Sequence, residues 1–336
     1  MLAREGDAPI PEKDRSLRTT GRRLAYARHL TGGRHPLVPR VLVNRVWLEH
    51  FGRGIVATPS DFGLRGERPT HPELLDWLAG ELVAGGWRLK PLHKMIMMST
   101  AYRQSSRRSD RLERADPDNN LLGRMNVRRL EAEIIRDSML AAAGNLNLKM
   151  GGPPVPVMPD EVGQIVLGVD TRDDVGRPNG RFIPLGEELY RRSVYVQARR
   201  TMPLEMLSAF DAPLMTPNCE LRTSSTVAPQ SLMLLNDAFV IEQAEAFARR
   251  VQAEAAGGPA EQARLAWRWA FAKEPTERQV AGAIEFMAAE EKNFAGQPSV
   301  KPVKGQKPAP RVEPALRALA AFCQALTGSN GFLYVD

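Results

Sequence analysis

Only two cysteines, Cys219 and Cys323, occur in the 336 residues, too few for a disulfide framework. A bridge between such distant positions would be an accident of the fold, so two buried free thiols are expected. No Cys-x-x-Cys-His occurs, which excludes covalent attachment of a c-type haem to this chain. Histidine is also scarce, with five. Metal sites normally need three or four convergent ligands, so neither a metal nor another cofactor is expected. There is no apolar run of the ~18 residues that a membrane-spanning helix needs. Met1–Arg18 alternates charge with Pro and Gly instead of building an apolar signal core. A phosphate-binding P-loop, a dinucleotide glycine motif and a Gly-x-Ser-x-Gly nucleophile elbow are all absent, as is any internal repeat.

Lysine is rare too. Of 46 basic residues 9 are lysine and 37 arginine, and the net charge is +7. The arginines are dispersed as pairs, at 22/23, 107/108, 128/129, 191/192, 199/200 and 249/250, with no dense basic block. That dispersion argues against a nucleic-acid partner. With 43% hydrophobic and 25% charged residues, the composition is that of a globular protein.

Apolar residues recur at helical spacing in Leu24–Leu30, Val38–Phe51, Leu74–Val83, Leu92–Met98 and Leu130–Leu146. They recur again from Ala228 to Val251 and in Glu261–Phe271, Glu277–Phe294 and Glu313–Leu326. Between these halves, Gly151-Gly152-Pro153-Pro154 and Gly176-Arg177-Pro178-Asn179-Gly180 forbid long regular elements. A short hairpin fits there, and Ser193–Ala198 is the clearest strand candidate. The expected fold is mainly α, a multi-helix globular domain with an irregular Gly/Pro-rich middle segment and a small β element. Residues 1–20 form an N-terminal extension and 21–336 a single domain: a helical half (21–150), an irregular segment (151–200) and a second helical half (201–336). A proline- and lysine-rich insertion at 297–310 is expected to be mobile. Thr70-x-x-Glu73 is expected to form a capping box, with Gly85-Gly86 ending the helix that follows.

The most distinctive stretch is Asn44–Leu78, in which a helix bearing Asn44, Arg45, Trp47 and His50 runs into Gly52-Arg53-Gly54, then Thr58-Pro59-Ser60-Asp61-Phe62-Gly63 and Thr70-His71-Pro72-Glu73. Further segments follow in order: Leu89–His93, Ala101–Ser106, Arg128–Glu133, Met150–Pro154, Arg191–Val196, Phe210–Pro213, Ser225–Gln230, Leu234–Asp237 and Ser329–Asp336. From about Gly21 to the last residue the chain resembles the planctomycete family known as domain of unknown function 1553, with Gly331 where an acidic residue is more typical. The resemblance implies an exported setting in the periplasm or cell envelope, downstream of another domain of unknown function and often of a c-type cytochrome-like segment. Set against the missing signal core, it leads to the expectation that the sequence is a fragment whose upstream part has been lost. If the sequence is complete, a cytoplasmic location is expected instead.

Candidate chemistry is sparse. Asn44 and Arg45 could bind a carboxylate or a sugar hydroxyl, or tie down the Ser60-Asp61 loop. His50 reads as a satisfied structural histidine or a ligand contact. Asp61, His71 and Glu73 form the best local acid–base or metal set, although His71-x-Glu73 does not place both groups on one helix face. Structural roles are also open to them: an Asx turn at Asp61, a cap at Glu73 and a backbone bond at His71. Arg129, Glu133, Arg136 and Asp137 are spaced to share one charged helix face, with Glu131 to the side. Together with Tyr102-Arg103 and Arg199-Arg200 they could line a cleft for a small polar, anionic or sugar-like ligand. A hydrolase of carbohydrate or another polar polymer would need two of Asp61, Glu131, Glu133 and Asp211 to face each other. Asp170, Asp173 and Asp174 lack the pattern of a calcium loop, and Ser224–Thr226 suit N-capping of the next helix. Three functions therefore stand: an accessory or ligand-binding module, a carboxylate-dependent hydrolase, and an assembly domain for a cytochrome-c-type redox protein.

Overall fold

The computed structural model describes residues 16–33, 35–173, 175, 183–213, 219, 221–297 and 312–335. Most of the N-terminal extension, Asp174, the 176–180 segment and all but Gln297 of the 297–310 insertion lie outside the described residues. The fold is mainly α, with fourteen α-helices among the described residues. None of these is long and apolar enough to cross a membrane. The chain divides into two compact units at Arg128/Arg129.

The first unit contains α1 (Arg22–Thr31), α2 (Val38–Phe51), α3 (Pro72–Ala84), α4 (Leu89–Met98) and the short α5 (Thr100–Arg103) and α6 (Asp110–Ala115). Pro39 sits in the first turn of α2, where its missing N–H costs nothing. Gly52 ends the helix at φ 78°, its N–H bonded to the Leu48 carbonyl, because a left-handed terminus suits a residue without Cβ. The core joins Val43, Trp47 and Phe51 of α2 to Leu75, Leu78 and Leu82 of α3 and to Leu92 and Ile96 of α4. Trp47 stacks on Phe51 with ring centres 4.2 Å apart.

Gly85 closes α3 as expected, but the Thr70/Glu73 capping box does not form. Pro72 opens the helix with His71 as its cap residue, so Thr70 lies one position too early and Glu73 is second, not third, in the helix. Thr70 instead directs both its N–H (2.9 Å) and its hydroxyl (3.3 Å) at the Ile55 carbonyl.

The second unit contains α7 (Ala132–Ala143), α8 (Glu205–Ala209), α9 (Ala228–Asn236), α10 (Ala238–Glu254), α11 (Pro259–Phe271), α12 (Glu277–Ala295), α13 (Pro314–Thr327) and α14 (Asn330–Leu333). Alanines let α10 to α13 pack closely: Ala248, Ala263, Ala266, Ala283 and Ala318 lie among Phe247, Val251, Met287, Leu319 and Phe322. A second core gathers Ile135 and Met139 of α7 with Met206, Phe210, Leu234, Val240 and Phe332. Asp237 caps α10 by accepting the Val240 N–H, and a reciprocal Thr276/Gln279 box caps α12.

The irregular middle holds the expected hairpin, Val157–Pro159 antiparallel to Ile165–Leu167 with Met158 opposite Val166. The strand expected at Ser193–Ala198 is absent. Ser193–Tyr195 is one turn of 3-10 helix, and only an isolated bridge, Val155 to Val196, is β-like. Local preference loses because Asp137 accepts both the backbone N–H and the hydroxyl of Ser193 at 2.7 Å, and this pins the chain into a bend. Both cysteines are free, but only Cys323 is buried; Cys219 is exposed, contrary to the expectation of two buried thiols. Burial pushes the Cys323 thiol far above its ordinary range.

Trp47 lies in the core of the first unit and is 6% exposed. Trp47→Ala should cost about 3–5 kcal/mol of unfolding free energy, read from denaturant midpoints. A wild-type midpoint would show that the indole is not a core anchor.

Candidate functional site

Asn44 is wholly buried. Its amide nitrogen donates to the Val56 carbonyl at 2.9 Å and its carbonyl accepts the Val56 N–H at 2.8 Å, so the side chain acts as one rung of a β-ladder. A Cβ on Gly54 would stand 2.5 Å from the Val56 oxygen, which explains glycine there. The segment tied down is thus Gly54–Val56, not the Ser60-Asp61 loop. Arg45 points to solvent on the same helix.

Asp61 forms the expected Asx turn, accepting the Gly63 N–H at 2.8 Å. The His71 ring bonds the Thr70 hydroxyl at 3.0 Å, and Glu73 is exposed and makes no cap bond. The three do not form a metal set: among the described residues no group of three or more His, Cys, Asp or Glu could hold a metal. A shallow cleft beside Trp47, Arg53, His71, Asn120 and Asn126 encloses about 20 Å³, room for one water molecule and not for a sugar ring.

His50 has a partner the sequence reasoning did not single out. Its Nε2 lies 2.8 Å from Nδ1 of His93 on α4, and Tyr102 on α5 meets the His50 ring edge-on at 5.4 Å. Burial, His93 and Arg128 together lower the His50 pKa below its ordinary value. Arg128 itself donates to the Glu49 carbonyl at 2.7 Å. Arg103 is exposed.

In the second unit the candidates are spread over separate contacts. Arg129 precedes α7, so it does not share that helix's face as the spacing suggested. Its guanidinium bonds the Ser225 and Phe210 carbonyls and pairs with Asp211 at 2.7 Å. Asp211, at φ 62°, also accepts the Ser225 N–H at 2.8 Å and its hydroxyl at 2.9 Å. Burial opposes ionisation of Asp211, but the bonds from Ser225 and Arg129 outweigh it and hold its pKa below the ordinary value. Ser225 is therefore no helix cap; Val227 takes that place, and its N–H bonds the Gln230 side chain.

Glu131 and Glu133 share Arg222, at 3.3 and 2.7 Å. Burial works against Glu133 as well, yet the Arg222 bond keeps its pKa low. Arg136 is 1% exposed. It donates to the carbonyls of Leu189 (2.8 Å) and Arg191 (3.0 Å) and to the Ser193 hydroxyl. Burial pulls its pKa down to about 10, with Asp137 opposing, so it remains a cation at neutral pH. Arg191, equally buried, reaches the Gly151 and Pro153 carbonyls and Glu188 and lies over the Tyr195 ring at 4.0 Å. Arg199 reaches the Val157 carbonyl only at 3.5 Å. Asp170 pairs with Arg172 at 2.7 Å.

The arrangement is that of a helical protein whose buried cations secure loops. Residues 22–287 match the family described as a protein of unknown function (DUF1553), and the chain belongs to that family. No curated protein and no solved structure matches it.

Replacing Asn44 by Ala would leave the Val56 N–H and carbonyl buried without partners. Asn44→Ala should therefore lower stability by roughly 2–3 kcal/mol, read by thermal or urea unfolding. A change near zero would contradict the ladder role.

Proposed function

We propose that the chain is an accessory, partner-binding module of a larger exported planctomycete-type protein, not a hydrolase. The observation that carries this reading is the pairing of three of the four candidate acids, Asp211 with Arg129 and both Glu131 and Glu133 with Arg222, while the fourth, Asp61, is held in its Asx turn. A glycosidase needs one carboxyl group kept protonated and a second facing it across the scissile bond. Here Asp211 and Glu133 have lowered pKa values, the direction that disables a general acid.

The partner surface in this reading is the neighbourhood of α1. None of its ten residues is buried, and Leu24 and Tyr26 are exposed. Helices below about 12–15 residues are marginal in water without packing, so a covering domain would stabilise it. The upstream domain of the family architecture is the partner proposed, with a c-type cytochrome-like segment as the redox variant of the same assembly.

The test supplies that upstream domain in trans. A higher melting temperature and slowed amide exchange in α1 are expected, since a ligand of the folded state stabilises it by mass action. Unchanged melting and exchange would contradict the proposal. So would hydrolysis of a polysaccharide panel by the purified chain that Glu133→Gln abolishes without loss of fold.

A further inference from the structure

The His50–His93 contact joins α2 to α4 through two ring nitrogens 2.8 Å apart. Two geometries give so short a distance. Two nitrogens chelating one metal point at a common third atom, which brings the ring centres well inside their greatest possible separation. A nitrogen–hydrogen–nitrogen bond points the nitrogens at each other, and the ring centres then approach that limit. Here the centres are 5.0 Å apart, close to the most that a 2.8 Å contact allows. The rings therefore meet head-on and share a proton.

We propose that the His50–His93 pair is an acid-operated latch, holding α4 on α2 while it contains one bridging proton and opening when both imidazoles are charged. The proton count forces this. In the neutral pair one bridging nitrogen donates and the other accepts. The first added proton goes to the outer nitrogen of the donor ring and leaves the bridge intact. The acceptor ring already carries a proton on its outer nitrogen, so the second can land only on the bridging nitrogen. Two N–H groups then face each other on two cations, and the contact becomes repulsive.

The surroundings add to that repulsion. Arg128 is the cation that faces His50, and Tyr102 presents its ring edge. Glu49, Lys90, Lys94 and Arg103 on the same elements are exposed, as are Glu73 and Glu81 of α3, while Asp76 pairs with Arg40. Among the described residues no carboxylate hydrogen-bonds either ring. The latch also matters mechanically, because α4 has only Leu92 and Ile96 buried and a helix with few buried contacts opens locally at small cost.

The sign follows from the depressed His50 pKa. The latch is complete above the ordinary histidine value of 6.5 and is lost as the second proton binds, below that value because the folded His50 pKa is lowered. The experiment follows the imidazole resonances by NMR and amide exchange over residues 89–103, corrected for intrinsic pH dependence, from about pH 8 to about pH 5. The expected result is two linked titrations, at least one below the ordinary range, with exchange in α4 rising at least about tenfold as the second proton binds. The double variant His50→Gln with His93→Asn places amide groups at both nitrogen positions without a titrating group, and its α4 should show no acid response. Should that variant fail to fold, the wild-type titrations decide alone. Independent titrations at ordinary values, an equal acid response in the double variant, or one equivalent of zinc ion displacing the bridging proton would each overturn the latch.

Discussion

Buried carbonyl groups must be bonded, and in the second unit arginine side chains do much of what a sheet would otherwise do. Among the described residues the stretch between α7 and α8 builds one short hairpin, so many of its other carbonyls need donors from elsewhere. Arg136 supplies them at Leu189 and Arg191, and Arg191 supplies them at Gly151 and Pro153. Arg129 does the same for Phe210 and Ser225. A guanidinium suits this work because its five donors diverge in a plane and it stays charged when buried. A lysine ammonium offers neither the reach nor the fork, so at these sites the arginine excess has a structural meaning beyond composition.

The first unit solves a smaller version of the same problem with amides. Asn44 pairs with both backbone groups of Val56. Asn119 donates to the Arg124 carbonyl and to Asn126, which in turn donates to the Phe51 carbonyl. An amide carries a donor and an acceptor on one plane, so it can stand in for a peptide group. In both units several of the polar residues that looked available for ligand chemistry, among them Asn44, Asp61, Arg129 and Arg136, are bonded to backbone. Burial without a partner would cost more than each bond contributes, which makes these contacts hard to spare for a substrate.

The helices and the site were unequally legible in the sequence. Helical periodicity located α2, α3, α4, α7 and α10 to α13, because each buries one stripe and the stripe shows as a spacing. Spacing failed where a single tertiary bond decided the outcome: Asp137 bends Ser193–Tyr195 away from a strand, and Asp211 claims Ser225 before it can cap α9. The charged face drawn through Arg129, Glu133 and Arg136 assumed a helix that begins only at Ala132. His93 went unrecognised as a partner for His50 because residues 43 apart carry no periodic signal; only its place in the Leu89–His93 segment marked it.

Buried arginine, more than sheet, secures the irregular part of the second unit. Arg136→Leu isolates that role, since leucine fills part of the space but donates nothing. A loss of at least about 2 kcal/mol of stability is expected, with amide exchange accelerated selectively over residues 186–196. Native stability and native exchange in that variant would contradict it.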